Sequence, residues 1–191
     1  MSRPRPPRIP PLDESEWTEE QRRLLDYAWR KGGFYNVIGT LARHWEASKR
    51  LGQVGAHVLG PTSTLPARDR ELLILRTAWL CQAEYEWAQH VEIARKAGVA
   101  DADIRRCRDG ATASGWSTTD AALISAADEL HADQRISDTT WSALALHYDT
   151  LQLMDVVFAV GQYTLIAMAL KSFGTPLDAG LDGFDTPSGD D

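Results

Sequence analysis

Residues 66–91 read PARDRELLILRTAWLCQAEYEWAQHV, and this stretch decides the fold. Pro66 suits the first position of a helix, where its missing N–H costs nothing. Asp69 and Glu71 follow in the early turns, where carboxylates complement the helix dipole. Between residues 72 and 80 only Arg76 and Thr77 are polar, so the pattern predicts a helix buried nearly all round. A second helix is predicted over residues 83–97, ended by Gly98. Glu71 and His90 stand nineteen positions apart. On one unbroken helix that is about 28 Å, so they meet only if the chain folds back between residues 80 and 82. No Gly or Pro marks that break.

Working outward, further helices are expected over residues 17–30, stopped by Gly32-Gly33, and over residues 41–59, closed by Gly60-Pro61. Asp101 is read as the cap of a short helix. Thr118 or Thr119 begins another that runs to about His131. Ser137 caps the next. Asp149, with Gln152 three residues on, caps a last long helix ending near Phe173-Gly174. Nothing reads as strand, because alternation is rare and the helical period common. The expectation is an all-α protein, one compact domain of about seven helices over residues 12–177. Residues 1–11, with five prolines, form an extended N-terminal arm. Residues 178–191, rich in Gly and Asp, form a flexible acidic tail. Residues 72–80 and 156–170 have too little polar surface for an isolated monomer, so part of it is expected to meet another copy of the chain.

The composition excludes several classes. The chain has 191 residues, 43% hydrophobic and 25% charged, which suits one soluble domain with a real core. A net charge of -7 opposes nucleic acid as a partner. Arg3, Arg5 and Arg8 cluster only in the arm. The apolar run 156–170 is shorter than a membrane span and interrupted by Gly161, Gln162 and Thr164. No secretory leader is read at the N-terminus, and a cytoplasmic location is expected. Cys81 and Cys107 form neither a CxxC pair nor a disulfide framework, and both are read as reduced thiols.

Glu86 and His90, four apart on one helix, share a face. A carboxylate beside an imidazole favours its charged form, and such a histidine can shuttle a proton. They are equally readable as an ordinary solvated pair. Glu71 serves either a site or its helix N-terminus. Glu84 starts the second helix. Trp87 either walls a pocket or packs in the core. Arg76 either pairs with a buried carboxylate or holds a substrate carboxylate bidentately. Glu86 and His90 offer two metal ligands, but no H-E-x-x-H motif exists and His44, His57, His131 and His147 are scattered, so no metal is expected.

The strings RELLILRTAW (residues 70–79), AEYEWAQHV (83–91) and AGV (97–99), supported by ADELH (127–131) and VGQY (160–163), resemble the carboxymuconolactone decarboxylase family over roughly residues 41–176. The resemblance implies an alkylhydroperoxidase D-like helical fold that assembles as trimers or hexamers. A redox branch of that superfamily carries a glutamate, a CxxC pair and a histidine. Glu71 and His90 match its glutamate and histidine, whereas Ala83 and Glu86 stand at its cysteine positions. Cys81 is two residues off register. A thiol peroxidase needs an attacking and a resolving thiol, so peroxidase activity is disfavoured. The glutamate-rich version is similar to the decarboxylase branch, which works without a cofactor on carboxylated lactones and related acids.

The resulting expectation is a cofactor-independent lyase acting on a small organic acid. His90 is the proton shuttle; Glu86 or Glu71 orients it, and Glu84 shares the proton. Arg76, Trp87 and Tyr85 contact substrate. Dehydration, isomerisation or cyclisation on the same equipment, and a non-catalytic binding or scaffold oligomer, remain open alternatives.

Overall fold

The computed structural model describes residues 6–23 and 35–185. Among these residues all regular structure is helical. The α-helices are α1 (Asn36–Leu41), α2 (Trp45–Leu59), α3 (Ala67–Leu80), α4 (Glu84–Lys96), α5 (Asp101–Asp109), α6 (Thr118–Asp133), α7 (Asp138–Ala145) and α8 (Thr150–Phe173). Of the helix expected over residues 17–30, residues 19–23 are helical. Residues 24–34, with Gly32 and Gly33, lie outside the described residues, as do Arg3, Arg5 and residues 186–191.

The caps explain most boundaries. Pro66 precedes α3 as read. Ser137 accepts from Thr140 N at the start of α7. Asp149 and Gln152 form a reciprocal capping box on α8, and Gly174 closes it with φ 69°. Helix α6 begins at Thr118 as read, and Ser117 caps it by accepting from Asp120 N. Ala100 precedes α5, so Asp101 is its first helical residue, favourable to the dipole rather than a cap.

The fold is organised around α3. Leu72, Leu73, Ile74, Leu75 and Ala78 are each fully buried. Leu73 and Ile74 pack with Leu123, Leu144 and Val156 of α6, α7 and α8. On the other side Leu72 and Leu75 pack with Trp87, Val91 and Ile104 of α4 and α5. From Leu72 to Ala78 the apolar surface of this helix is therefore covered within one chain, while Trp79 and Leu80 at its end are partly exposed.

The chain reverses between α3 and α4 without Gly or Pro. Gln82 takes the left-handed conformation, φ 51°. Ala83 N donates to Ala78 O at 2.9 Å, the six-to-one bond of a Schellman closure. The Gln82 amide donates to Trp79 O at 2.7 Å, satisfying a further carbonyl of the last turn.

Helix α8 is longer than the apolar run that marks it. By length and composition it is long enough to cross a membrane, and 44% of its apolar window is buried inside the domain. One side, with Leu153, Val156, Val160, Tyr163, Ala167 and Leu170, belongs to the core. The other presents Leu151, Met154, Phe158, Leu165 and Met168 to solvent.

Residues 8–12 and 178–185 pack against the body. Arg8 N and Ile9 N donate to Phe173 O, and Leu12 N to Gly39 O. Residues 178–185 do not form the loose tail expected from their composition. Asp178 accepts from Asn36 N at 2.7 Å and Gln89 Nε2 at 2.5 Å, and from the Tyr85 hydroxyl. Phe184 stacks edge-on against Trp79, ring centres 5.2 Å apart.

Candidate active site

The turn at Gln82 brings α4 back along α3 and sets His90 beside Glu71. His90 Nδ1 lies 2.7 Å from Glu71 Oε2, and the other carboxyl oxygen of Glu71 accepts from Arg70 Nε at 3.1 Å. Glu71 is wholly buried, and Arg70 and His90 nearly so. The Arg70 cation compensates the buried Glu71 charge, which would otherwise be costly. An ionised carboxylate only accepts, so the hydrogen-bond network assigns the ring proton to Nδ1. Nε2 is left as the basic nitrogen. Tyr163 of α8 stands edge-on to the imidazole, ring centres 4.7 Å apart, and fixes its plane. Burial, and then the Glu71 charge, push the Tyr163 phenol well above its usual range.

His90 and Glu86 both line a cavity of about 420 Å³ between α1, α2, α4 and α8. That is within the size range of small-molecule sites. Its walls are mainly apolar, from residues such as Val37, Leu51, Ile93 and Ile166. Its polar lining includes Gln89, Gln162 and Tyr163 together with Glu86 and His90. No lysine, arginine or cysteine is among the lining residues.

The structure sorts the sequence-derived candidates. Glu71, Glu86 and His90 come together as expected, but Glu86 is not the partner of His90. Its two carboxyl oxygens are buried and have no hydrogen-bond partner. Burial alone raises its pKa well above the ordinary carboxylate value. Tyr85 contributes to the cavity wall, but its hydroxyl donates to Asp178 and accepts from Val37 N, pinning α1 to residues 177–178.

Glu84, Trp87 and Arg76 are corrections. Glu84 is exposed and faces away from the cavity, accepting from Phe184 N at the start of α4. Trp87 is fully buried in the core, edge-on to Trp79, with the Arg108 guanidinium 5.0 Å from its ring centre. Of its two readings, core packing is the one realised. Arg76 donates to Asp128 at 2.5 Å and to the carbonyls of Cys107 and Arg108 at 2.9 and 3.0 Å, so its guanidinium is committed to structure.

Gln89, Gln162 and Tyr163 were not singled out as site residues, although GQY occurs in one of the quoted strings. Position on separate helices hides their convergence. Asp178 was hidden by the composition of its segment. Cys81 lies in a different depression, with its Sγ 3.8 Å from His131 Nδ1. Burial pushes its thiol up. Among the described residues no group of three or more His, Cys, Asp or Glu is placed to hold a metal ion.

The helical fold is similar to solved alkylhydroperoxidase D-like structures. It matches the alkylhydroperoxidase core of an uncharacterized peroxidase-related protein from Ralstonia eutropha with TM-score 0.79 at 16% identity, over 91% of this chain and 93% of that one. A peroxidase-related protein from Silicibacter matches with TM-score 0.79 at 14% identity, over 94% and 96%. The debrominase Bmp8, in complex with 2,3,4-tribromopyrrole, matches with TM-score 0.74 at 12% identity, over 90% and 91%. At sequence level the model of the carboxymuconolactone decarboxylase family matches residues 46–129, so that segment is similar to this family. No curated protein matches the chain.

Proposed function

We propose that the chain is a cytoplasmic, cofactor-independent acid–base enzyme of carboxy-lyase type, acting on a small carboxylated lactone or related organic acid. The observation that supports it is the Glu71–His90 pair opening onto an apolar, ring-sized cavity. In decarboxylation the bond to the carboxylate carbon breaks, CO₂ leaves, and the electron pair spreads into the conjugated carbonyl. His90, protonated at Nε2, then delivers that proton to carbon and regains one from solvent. Glu71 holds the ring in register and balances the imidazolium, as in other base–orienter pairs. With no Lys or Arg in the lining, a localised carboxylate is poorly solvated there, and the dispersed charge of the transition state is favoured by comparison. The debrominase of like fold holds a small ring compound, which accords with a ligand of this size.

The same lack of cations suits an uncharged substrate, so isomerisation or dehydration is the second reading. Release of CO₂ from a γ-lactone acid separates the two. A non-catalytic binder would instead show a ligand-dependent rise in melting temperature with no conversion. His90→Gln is expected to cut turnover by about 10²–10⁴; unchanged turnover would remove His90 from the mechanism. The reading also makes the chain a homo-oligomer, a trimer or hexamer, assembled through the outer apolar row of α8.

A further inference from the structure

Glu86 is the one carboxyl group at the cavity for which the acid–base pair has no use. It is 2% exposed, lines the cavity one helical turn before His90, and neither of its oxygens meets a protein donor. The polar groups beside it on α4 are engaged elsewhere. The Tyr85 hydroxyl and the Gln89 amide donate to Asp178, and His90 Nδ1 is taken by Glu71. Arg70 and Arg76, the buried cations of α3, are bound to Glu71 and Asp128. An ionised carboxylate in this position would be buried with no compensating charge and no donor, at a cost of several kcal/mol. A protonated carboxyl has no such cost, and carries one O–H donor and an acceptor oxygen. Native proteins seldom leave such a group unsatisfied, and the cavity is the open space that it lines.

We propose that Glu86 is a neutral carboxylic-acid donor that hydrogen-bonds the carbonyl oxygen of the bound ligand, and that the site selects molecules with a conjugated or enolisable carbonyl. This deepens the acid–base reading and rests on it. While His90 Nε2 moves a proton at carbon, electrons accumulate on the carbonyl oxygen, and the Glu86 O–H is placed to receive that charge without giving up its proton. A preorganised donor of this kind strengthens as the oxygen becomes an oxyanion. A carboxyl kept neutral by an apolar site is a known way to supply one. The role differs from orienting the imidazole, which Glu71 performs. It also explains the chemistry of the rest of the wall: one oxygen-binding group, one apolar body, and no cation for a second anionic group.

Two measurements on the full-length protein test this without reference to turnover. The first is the infrared difference spectrum of native protein against Glu86→Gln at neutral pH. The expected result is the carbonyl stretch of a protonated carboxyl, present in the native protein and absent from the variant. A carboxylate band in its place overturns the proposal. The second uses 4-nitrophenolate as a stable oxyanion probe, its affinity read from its visible absorbance. Glu86→Gln keeps an N–H donor and should bind within about threefold of native, whereas Glu86→Leu should bind about 10–100-fold more weakly. Failure of the native protein to bind the probe, or equal binding by Glu86→Leu, overturns the proposal. If Glu86→Leu does not fold, the infrared result and the Gln variant decide. Should both measurements succeed while His90→Gln leaves turnover unchanged, only the acid–base reading falls.

Discussion

His90 and Glu71 are nineteen positions apart in the chain and 2.7 Å apart in space, on two helices that run side by side because α3 ends in a left-handed residue. The pair fixes which imidazole nitrogen is free. Glu71→Gln retains the shape of the side chain but offers an amide that both donates and accepts, so the ring tautomer is no longer dictated. The expected outcome is a kcat lower by about 10²-fold with KM little changed, because the substrate does not touch Glu71. Glu71→Ala should in addition destabilise the fold by about 3–5 kcal/mol, leaving Arg70 buried without its carboxylate. Steady-state kinetics with urea unfolding of both variants separates the two effects. A kcat equal to native for Glu71→Gln would show that the pair is structural.

Arg76 makes the opposite prediction. Its guanidinium ties α3 to Asp128 of α6 and to the last carbonyls of α5. Arg76→Ala should cost about 2–3 kcal/mol in unfolding free energy, since it leaves two carbonyls and a carboxylate without a donor. It should leave KM for an acidic substrate unchanged at temperatures where the variant is folded. A raised KM with unchanged stability would return Arg76 to the site.

The contrast between these residues shows what the sequence discloses and what it does not. Helix positions were legible because local chemistry sets them: Pro66, Ser137, and Asp149 with Gln152 act within one turn of themselves. The reversal at residues 81–83 was not, because glycine is the usual left-handed residue and Gln82 takes that place with its own amide closing the turn. Gln134 does the same at the end of α6, donating to Leu130 O and His131 O. The partner of His90 stayed open between two glutamates for the same reason. Spacing on one helix favours Glu86, whereas the contact depends on how two helices are paired. For Trp87, Arg76 and Asp178, too, the deciding neighbours lie far off in sequence: Phe184, Asp128 and Asn36.

Asp155 supplies a pH-dependent prediction away from the site. On the inner side of α8, it accepts from Thr64 N and Thr64 Oγ1, each at 2.7 Å, and bonds His57 Nε2 at 2.8 Å. Burial raises its pKa, but the hydrogen bonds from Thr64 and His57 outweigh that and hold it below the usual aspartate value of 3.8. A folded-state pKa below the unfolded one stabilises the protein above the unfolded value, and this contribution is lost as pH falls through the folded value. Asp155→Asn should therefore cost about 1–3 kcal/mol at neutral pH. The difference from native should shrink as pH drops below about 4. Thermal melts of both proteins across that range check the sign. A gap that widens in acid would contradict it.

The outer side of α8 tests the assembly. Leu151, Met154, Phe158, Leu165 and Met168 follow one another at intervals of three, four, seven and three, the spacing of a helical seam. Gly161 falls in the gap of seven, and a side chain there would meet nothing within 4 Å. All five residues are more than two-fifths exposed, while the inward side of the same helix is core. A continuous apolar row of this length is unfavourable in water unless another surface covers it. The row offers a second copy both ridges and, at Gly161, a recess for them. Phe158→Glu places a charge at its middle without touching the inner side. The expected outcome is a shift to monomer in light scattering, with helical content and the His90–Glu71 pair preserved. Turnover by that monomer would show whether the cavity is complete within one chain, and a native protein that is itself monomeric at high concentration would end the proposal of self-association.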